Sequence, residues 1–257
     1  MNQRCAAFPL RISRYMHDIV THDFTIHVAD GSTMDAFMAR PDDEGSHAGI
    51  IVIQEAFGVN SHIRDVAQRL AREGYVTVAP ALFHRTAPGF QAAYTDFASA
   101  MPHMKALTEE GMTADLRATC GWLTSNAFVR ADAIASVGFC LGGKVSFLAN
   151  AVLPVRAAVS FYGGGIAPNA TSPGLLDHAS KLHAPMLMFW GGKDKNILSD
   201  QRRAVADALL AAKKQFVYVA FSEADHGFFC NERASYNESA AKQAWALMKQ
   251  FLHDNLS

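Results

Sequence analysis

Apolar positions along the chain follow two alternating patterns: short runs typical of buried strands, and longer stretches in which apolar residues recur every three or four positions. Residues 48–54 form a nearly continuous apolar run, as expected of a central parallel strand. In the stretch that follows, Ile63, Val66 and Leu70 share one face of a predicted helix. Further apolar runs predict strands over residues 75–79, 134–137, 157–162, 185–190 and 215–221. Amphipathic stretches predict helices over residues 113–124, 142–153, 199–213 and 238–255.

Two stretches depart from this alternation. Residues 23–27 and 33–39 alternate apolar and polar side chains on either side of Asp30-Gly31, which predicts a β-hairpin. Residues 84–110 contain Pro88-Gly89, Pro102 and scattered aromatic residues. We interpret them as a loop-plus-helix excursion over the sheet, which either lines a pocket and moves as a lid or packs as an ordinary surface segment.

Strands alternating with helices predict the α/β class, with a mostly parallel central sheet and helices on both faces. The chain has 257 residues and no visible internal repeat, linker or low-complexity tract. We therefore expect a short N-terminal extension over residues 1–22 and one domain over residues 23–257.

Composition narrows the range of partners. Half of the residues are apolar, the formal net charge is −1, and no long run of one charge sign occurs. This balance argues against a nucleic-acid partner or a membrane surface, and no stretch has the length of a transmembrane span. The four cysteines form no CxxC pair or zinc-finger spacing, so we expect no metal site and a reducing cytoplasmic location.

The segment Gly138-Phe139-Cys140-Leu141-Gly142 has the G-x-nucleophile-x-G pattern of a nucleophile elbow, with a thiol at its centre. It lies between a predicted strand and a predicted helix, which is the context that the motif requires. The glycines leave room where the strand, the turn and the helix cross. The N-terminus of the helix favours a thiolate, so Cys140 is the candidate nucleophile and the other cysteines are interpreted as packing residues.

An acid and a histidine follow Cys140 in the chain order of α/β-hydrolases. His226 comes directly after the last predicted strand, where this fold places its base, and Asp194 follows the strand at residues 185–190. Asp200 and Asp225 are alternatives for the acid, although Asp200 suits a helix cap and Asp225 is poorly placed to bond the ring of its neighbour. The other histidines lack a supporting motif.

Glu55 closes the apolar strand at residues 48–54. A carboxylate at the carboxyl end of a central strand lies near the crevice where α/β sheets bind ligands. Burial there would raise its pKa or require a cationic partner.

Together these motifs resemble the dienelactone hydrolase (carboxymethylenebutenolidase) family of α/β-hydrolases, from about residue 23 to the C-terminus. The segments that carry the resemblance are Gln54-Glu55-x-Phe57-Gly58-Val59-Asn60, Gly138-x-Cys140-Leu141-Gly142-Gly143, Gly191-Gly192-x-Asp194 and His226-x-Phe228. The cysteine in the elbow and the Gln-Glu-x-Phe-Gly segment are the most diagnostic of them.

The resemblance implies a role for several residues and no cofactor. Cys140, Asp194 and His226 would form the triad, and Glu55 would partner the resting thiol. The backbone N–H groups of Leu141 and Ala56 would form the oxyanion hole, as the fold generally requires. Arg85 would bind a substrate carboxylate, since its guanidinium fork matches a planar carboxylate.

One position departs from the family pattern. The family's second carboxylate-binding arginine would fall at Cys230, and Arg233, three residues further on, is the candidate replacement. Tyr162, at the end of the strand at residues 157–162, is a further substrate-binding candidate.

The function expected is hydrolysis of a small ester or lactone through a thioester on Cys140, and the resemblance extends this to substrates that bear a carboxylate. Two alternatives remain open at this point: a non-catalytic α/β-hydrolase scaffold that binds a ligand or partner, and a redox-sensing thiol protein in which Cys230 lies close to Cys140.

Overall fold

The computed structural model describes residues 16–169 and 172–257. The strands are β1 (Ile19–His27), β2 (Thr33–Pro41), β3 (His47–Ile53), β4 (Val76–Pro80), β5 (Val129–Phe139), β6 (Ala157–Phe161), β7 (Met186–Gly191) and β8 (Phe216–Phe221). The helices are α1 (Ser61–Arg72), α2 (Phe97–Ala106), α3 (Glu109–Thr124), α4 (Leu141–Val152), α5 (Ser199–Ala211) and α6 (Glu238–Leu256), with a short 3₁₀ helix at Leu176–Lys181.

The strands form one sheet in the order β1-β2-β4-β3-β5-β6-β7-β8. Among these strands only β2 runs against the others, since it pairs antiparallel with both β1 and β4 while every other pairing is parallel. The predicted α/β class, the mostly parallel sheet and the hairpin are therefore confirmed. The hairpin strand begins at Ile19, before the predicted residue 23, so the last residues assigned to the extension belong to the sheet.

Helices cover both faces of the sheet. On one face α3 and α4 contact each other and β3 and β5. On the other face α1 covers β2 and β4, α6 covers β5 to β7, and the guanidinium of Arg69 in α1 stacks on the Trp245 ring of α6, 4.0 Å from its centroid. Sheet residues such as Ile50, Ile51 and Val137 are consequently fully buried. None of the helices in the described part of the chain has the length and hydropathy needed to span a bilayer.

The chain order reverses direction across the sheet at β3. From β3 the chain continues to β4 on one side, and it returns to β5 on the other side. Parallel α/β sheets bind their ligands beyond the carboxyl ends of the strands at such a point. The segments that leave β3 and β5 carry Glu55 and Cys140.

The excursion predicted at residues 84–110 is a loop followed by α2 and the first residues of α3. Its aromatic side chains Phe90 and Tyr94 pack against the buried residues Ala56 and Phe57. The ring centroids of Tyr94 and Phe57 are 4.7 Å apart. The excursion therefore contacts the segment directly after β3.

Candidate active site

Cys140 occupies the turn between β5 and α4 with φ 53° and ψ −112°. A positive φ is costly for a residue that carries a Cβ, and such strain is typical of a nucleophile elbow. The neighbouring glycines are required by contact distances. A Cβ on Gly138 would lie 1.8 Å from the carbonyl oxygen of Gly142, and one on Gly142 would lie 2.3 Å from that of Ile53.

The three residues predicted as the triad lie together in the structure. The Sγ atom of Cys140 is 3.1 Å from Nε2 of His226, and Nδ1 of His226 is 2.8 Å from Oδ2 of Asp194. Each residue follows the carboxyl end of a different strand: Cys140 follows β5, Asp194 follows β7 and His226 follows β8. The parallel sheet places these strand ends along one edge and so brings the side chains into contact.

Asp194 is oriented by its own loop. Its Oδ1 atom accepts the backbone N–H groups of Asn196 at 2.8 Å and Ile197 at 3.2 Å, which leaves Oδ2 for His226. The alternative acids bond backbone groups instead: Asp225 accepts the N–H of His226, and Asp200 accepts the N–H of Gln201. Asp194 is thus the acid that contacts the imidazole.

The electrostatics of the site favour the protonated imidazole. Burial is the largest effect on the pKa of His226 and acts to lower it. The attraction and hydrogen bonds of Cys140 and Asp194 outweigh burial, and they raise the pKa of His226 well above its ordinary value. The imidazole beside the Cys140 sulfur is therefore favoured in its protonated form.

Two backbone N–H groups are free near the elbow. Leu141 is the first residue of α4 and has no acceptor within the helix. Ala56, fully buried after β3, also donates to no acceptor among the described residues. Free N–H groups at these two positions are what an oxyanion hole needs.

Glu55 is fully buried and has a different partner from the predicted one. Its Oε1 atom accepts a hydrogen bond from Nη1 of Arg233 at 3.2 Å, whereas the thiol of Cys140 is bonded to His226. Burial raises the pKa of Glu55, and the opposing effects of Arg233, the Tyr94 hydroxyl and His226 do not cancel it. The expectation that Glu55 partners the resting thiol does not describe this conformation.

Arg233 reaches the site, which the sequence left open. Its guanidinium lies over the rings of Tyr94 and Phe57, 5.5 and 5.8 Å from their centroids. It also passes over Gly227, where an added Cβ would lie 2.4 Å from the Cζ atom of Arg233. The guanidinium therefore lies beside the backbone of Gly227, the residue after His226, as well as beside Glu55.

Arg85 lies in a different environment from the predicted one. Its Nη1 and Nη2 atoms donate to the two carboxylate oxygens of Asp115 at 2.9 and 2.8 Å, and its Nε atom donates to Asp30 at 2.8 Å. Asp115 also bonds His84, 3.1 Å away. A substrate carboxylate would meet a guanidinium already neutralised by two acids, so the geometry argues against the predicted carboxylate-binding role.

Tyr162 is fully buried beside His226. Its ring centroid is 5.2 Å from that of His226, and its hydroxyl has no hydrogen-bond partner among the described residues. An unpartnered buried hydroxyl is costly and is available to a ligand. Its predicted role in substrate binding stays a prediction.

Sequence reasoning did not assign a site role to Tyr94. Its hydroxyl accepts a hydrogen bond from Nδ2 of Asn60, 3.1 Å away, while Oδ1 of Asn60 caps α1. Tyr94 therefore joins the excursion to the start of α1 and to the Glu55–Arg233 pair. Tyr94 is one of several aromatic residues in the excursion, and its local sequence gave no sign of these long-range contacts.

No grouping of three or more His, Cys, Asp or Glu side chains suitable for a metal ion occurs in the described ranges.

The similarity to known proteins agrees with this geometry. The model of the dienelactone hydrolase family matches residues 34–256. A Synechocystis protein named "Putative carboxymethylenebutenolidase" is 38% identical over 225 residues, covering 86% of this chain and 91% of its own length. An Escherichia coli K12 protein of the same name is 32% identical over 254 residues, covering 96% of this chain and 92% of its own length.

A solved structure shows the same fold. The crystal structure named "Putative Dienelactone Hydrolase" from Klebsiella pneumoniae superposes with a TM-score of 0.84 at 32% identity, covering 92% of this chain and 99% of that one. The match of the family model to most of the chain and the identity to these relatives establish the relationship. The chain belongs to the dienelactone hydrolase family and is a hydrolase with the α/β-hydrolase fold.

Proposed function

We propose that this protein cleaves its substrate with Cys140 as nucleophile, through a thioester intermediate. As a member of its family it is a hydrolase of ester or lactone bonds. The observation that carries the proposal is the continuous contact from Asp194 through His226 to Cys140 at a strained elbow. Nucleophile, base and orienting acid in this order are the components of acyl transfer.

In the first half of the reaction, the thiolate attacks the carbonyl carbon and the carbonyl electron pair moves to oxygen. The N–H groups of Leu141 and Ala56 stabilise that oxyanion. When the tetrahedral intermediate collapses, the C–O bond of the ester breaks and the leaving oxygen takes the proton from Nε2 of His226. In a lactone, the leaving oxygen stays attached to the acyl group.

In the second half, neutral His226 removes a proton from water, and the resulting hydroxide attacks the thioester carbonyl. The C–S bond breaks, the carboxylic acid leaves, and the proton held by His226 restores the starting ion pair. Asp194 holds the ring in the tautomer that presents Nε2 to the sulfur, and stabilises the imidazolium.

Arg233 favours substrates that carry a carboxylate. Its guanidinium bonds Glu55, and the pKa of Glu55 is raised because of burial. A substrate carboxylate can therefore compete with Glu55 for the guanidinium, which suits a planar anion. The relatives named as carboxymethylenebutenolidases support the same class of carboxylate-bearing substrates. In this chain a single arginine, Arg233, would bind the substrate carboxylate, where the family pattern has two.

The first experiment tests the nucleophile. Rapid mixing with an activated ester, acid quench and mass spectrometry should show an acyl group on the peptide containing Cys140. Cys140→Ala should abolish both the adduct and turnover, whereas Cys120→Ala, which alters a buried cysteine of α3, should retain both. Full turnover by Cys140→Ala would refute the mechanism.

The second experiment tests the substrate class. A panel of paired esters and lactones, each with and without a free carboxylate, should show higher kcat/KM for the anionic member of each pair. Arg233→Ala should reduce this preference about tenfold to a hundredfold, the value of one charge-assisted contact. An equal preference in wild type and Arg233→Ala would remove Arg233 from substrate binding without affecting the case for Cys140.

A further inference from the structure

The two segments that carry the acid and the base of the triad are joined through their backbones. We call residues 191–197, which follow β7 and include the acid, the acid loop, and residues 222–226, which follow β8 and end on the imidazole, the base turn. The N–H of Lys193 in the acid loop bonds the carbonyl of Ala224 in the base turn at 2.9 Å. The distance between acid and base therefore depends on where the chain lies directly after β7.

Gly191 packs its backbone directly against the base turn. A Cβ added to Gly191 would lie 2.5 Å from the carbonyl oxygen of Ala224 and 2.9 Å from that of Asp225. No side chain fits in this contact, so the two backbones touch one residue before His226. A movement of Gly191 away from the base turn would consequently move Asp194 relative to His226.

Arg202, on α5, holds Gly191 in this position. Its Nη1 atom donates to the carbonyl oxygen of Gly191 at 2.5 Å, and the arginine is 9% exposed. This is the one hydrogen bond of the guanidinium within the described ranges, and the buried Nε atom has no partner there. A buried cation that bonds a carbonyl rather than a carboxylate is expensive in free energy, so stability alone does not explain why an arginine occupies this position.

Local hydrogen bonds connect Arg202 to Asp194 along the chain. Asp194 accepts two N–H groups of its own loop. The N–H of Leu198 then bonds Oε1 of Gln201 at 3.0 Å, and the N–H of Arg202 bonds the carbonyl of Leu198 at 3.1 Å. The guanidinium closes this segment by returning eleven positions to Gly191, and Asp194 lies within the closed segment.

We propose that Arg202 is a positioning residue for the hydrolytic reaction, because it fixes Gly191 and thereby the distance between Asp194 and His226. The inference rests on the proposed function, in which Asp194 orients the imidazole. Removal of the guanidinium should loosen the contact between Oδ2 of Asp194 and Nδ1 of His226. Since Asp194 helps to raise the pKa of His226, a looser contact should lower that pKa.

The test follows the titration of His226 by NMR of the full chain with isotope-labelled histidine, the signal being assigned by its loss in His226→Gln. Arg202→Met keeps the length of the buried stem and removes the donors. We expect it to lower the pKa of His226, to move the alkaline limb of kcat/KM to lower pH, and to reduce kcat/KM at neutral pH about tenfold, as a small misplacement of catalytic groups does.

Two further variants separate positioning from a general loss of structure. Arg202→Lys keeps a cation on a side chain one atom shorter, so both readouts should change in the same direction by less. Arg203→Met makes the same substitution at the neighbouring, exposed arginine and should match wild type. If Arg202→Met does not fold, Arg202→Lys decides the question by the same two readouts.

Asp194→Asn distinguishes the failure of this inference from the failure of the proposed function. If Asp194→Asn lowers the pKa of His226 and the folded Arg202 variant does not, Arg202 has no positioning role and the triad stands. If Asp194→Asn changes neither the titration nor turnover, the proposed function fails and this inference fails with it. In the Asp194→Asn background, Arg202→Met should lower the pKa no further, and an additional decrease would overturn the proposal because Arg202 would then act elsewhere.

Discussion

At the elbow, the backbone conformation of residue 140 does not depend on whether its side chain carries sulfur or oxygen. The glycines around Cys140 are required by backbone contacts as close as 1.8 Å, but the side chain between them is limited only by its function. A serine fits the same backbone, because it differs from cysteine by one atom. The backbone geometry alone therefore does not determine which nucleophile this turn carries.

We expect Cys140→Ser to fold normally and to lose activity about a hundredfold or more. A hydroxyl must give up its proton during the attack, whereas the thiol can do so beforehand, so the serine enzyme depends on general-base catalysis of that magnitude. Steady-state kinetics on one activated ester, with the melting temperature as control, check this. A serine variant as fast as wild type would contradict a specific role for the thiol.

The raised pKa of His226 predicts a pH profile. In the proposed mechanism the imidazolium protonates the leaving oxygen, so activity should persist into alkaline solution and fall as pH rises through the raised pKa of His226. Asp194→Asn removes an interaction that raises this pKa, so the alkaline limb of kcat/KM should move to lower pH. A limb that does not move would show that Asp194 does not act through the imidazole.

Glu55 predicts a pH dependence of stability. Its folded pKa is raised by burial, so the folded state binds more protons than the unfolded state above the ordinary pKa of a glutamate. Stability from this group is therefore greatest at low pH and is lost as pH rises through the folded pKa. Glu55→Gln should resemble wild type near pH 5 and become the more stable of the two as pH rises, as measured by urea unfolding. The opposite trend would mean that Arg233 lowers the pKa of Glu55 below its ordinary value.

At the scale of elements, the apolar runs and the alternating hairpin pattern located each strand of the described residues, but strand ends were less visible. β5 was predicted over residues 134–137 and extends over Val129–Phe139. Its first part carries polar residues and pairs with β3 across a register shift at Ala48 and Gly49. The first part of β5 is therefore in the strand because it pairs with β3, and a local apolar pattern cannot reveal such a pairing. Similarly, α3 begins at Glu109 because Thr108 caps it.

The excursion over residues 84–110 shows why the role of Arg85 was predicted differently. The family resemblance implied carboxylate binding, and the structure supplies two carboxylates from within the chain. Asp30 lies in the β1–β2 turn and Asp115 lies on α3, so Arg85 ties the excursion to two other elements. These partners are distant in sequence, and no spacing rule predicts them.

Arg85→Ala should therefore reduce stability more than specificity. Removing the guanidinium leaves the fully buried carboxylate of Asp115 with His84 as its remaining side-chain partner, which we expect to cost about 3 kcal/mol of unfolding free energy. The preference for anionic over neutral substrates should be unchanged. Arg233→Ala is the matched comparison, since it should change the preference. A loss of preference in a fully stable Arg85→Ala protein would reinstate the role suggested by sequence.

At the scale of the whole molecule, the contact among the three candidate triad residues could be predicted because chain order and strand order are linked in this fold. Cys140, Asp194 and His226 each follow an apolar run, and parallel strands carry such residues to one edge. The surroundings of the triad were less predictable. The Glu55–Arg233 pair and the contact of Tyr94 with Asn60 join residues 178 and 34 positions apart, and they depend on how loops cross above the sheet.

The positions of β7 and β8 at one side of the sheet have a consequence for folding. The thiol belongs to the middle of the sheet, but its acid and its base arrive with the two strands that complete one edge. A refolding chain that has formed β3 to β6 would already hold Cys140 on its elbow and would still be inactive. Return of esterase activity after dilution from denaturant would therefore time the docking of that edge, separately from the recovery of helical signal.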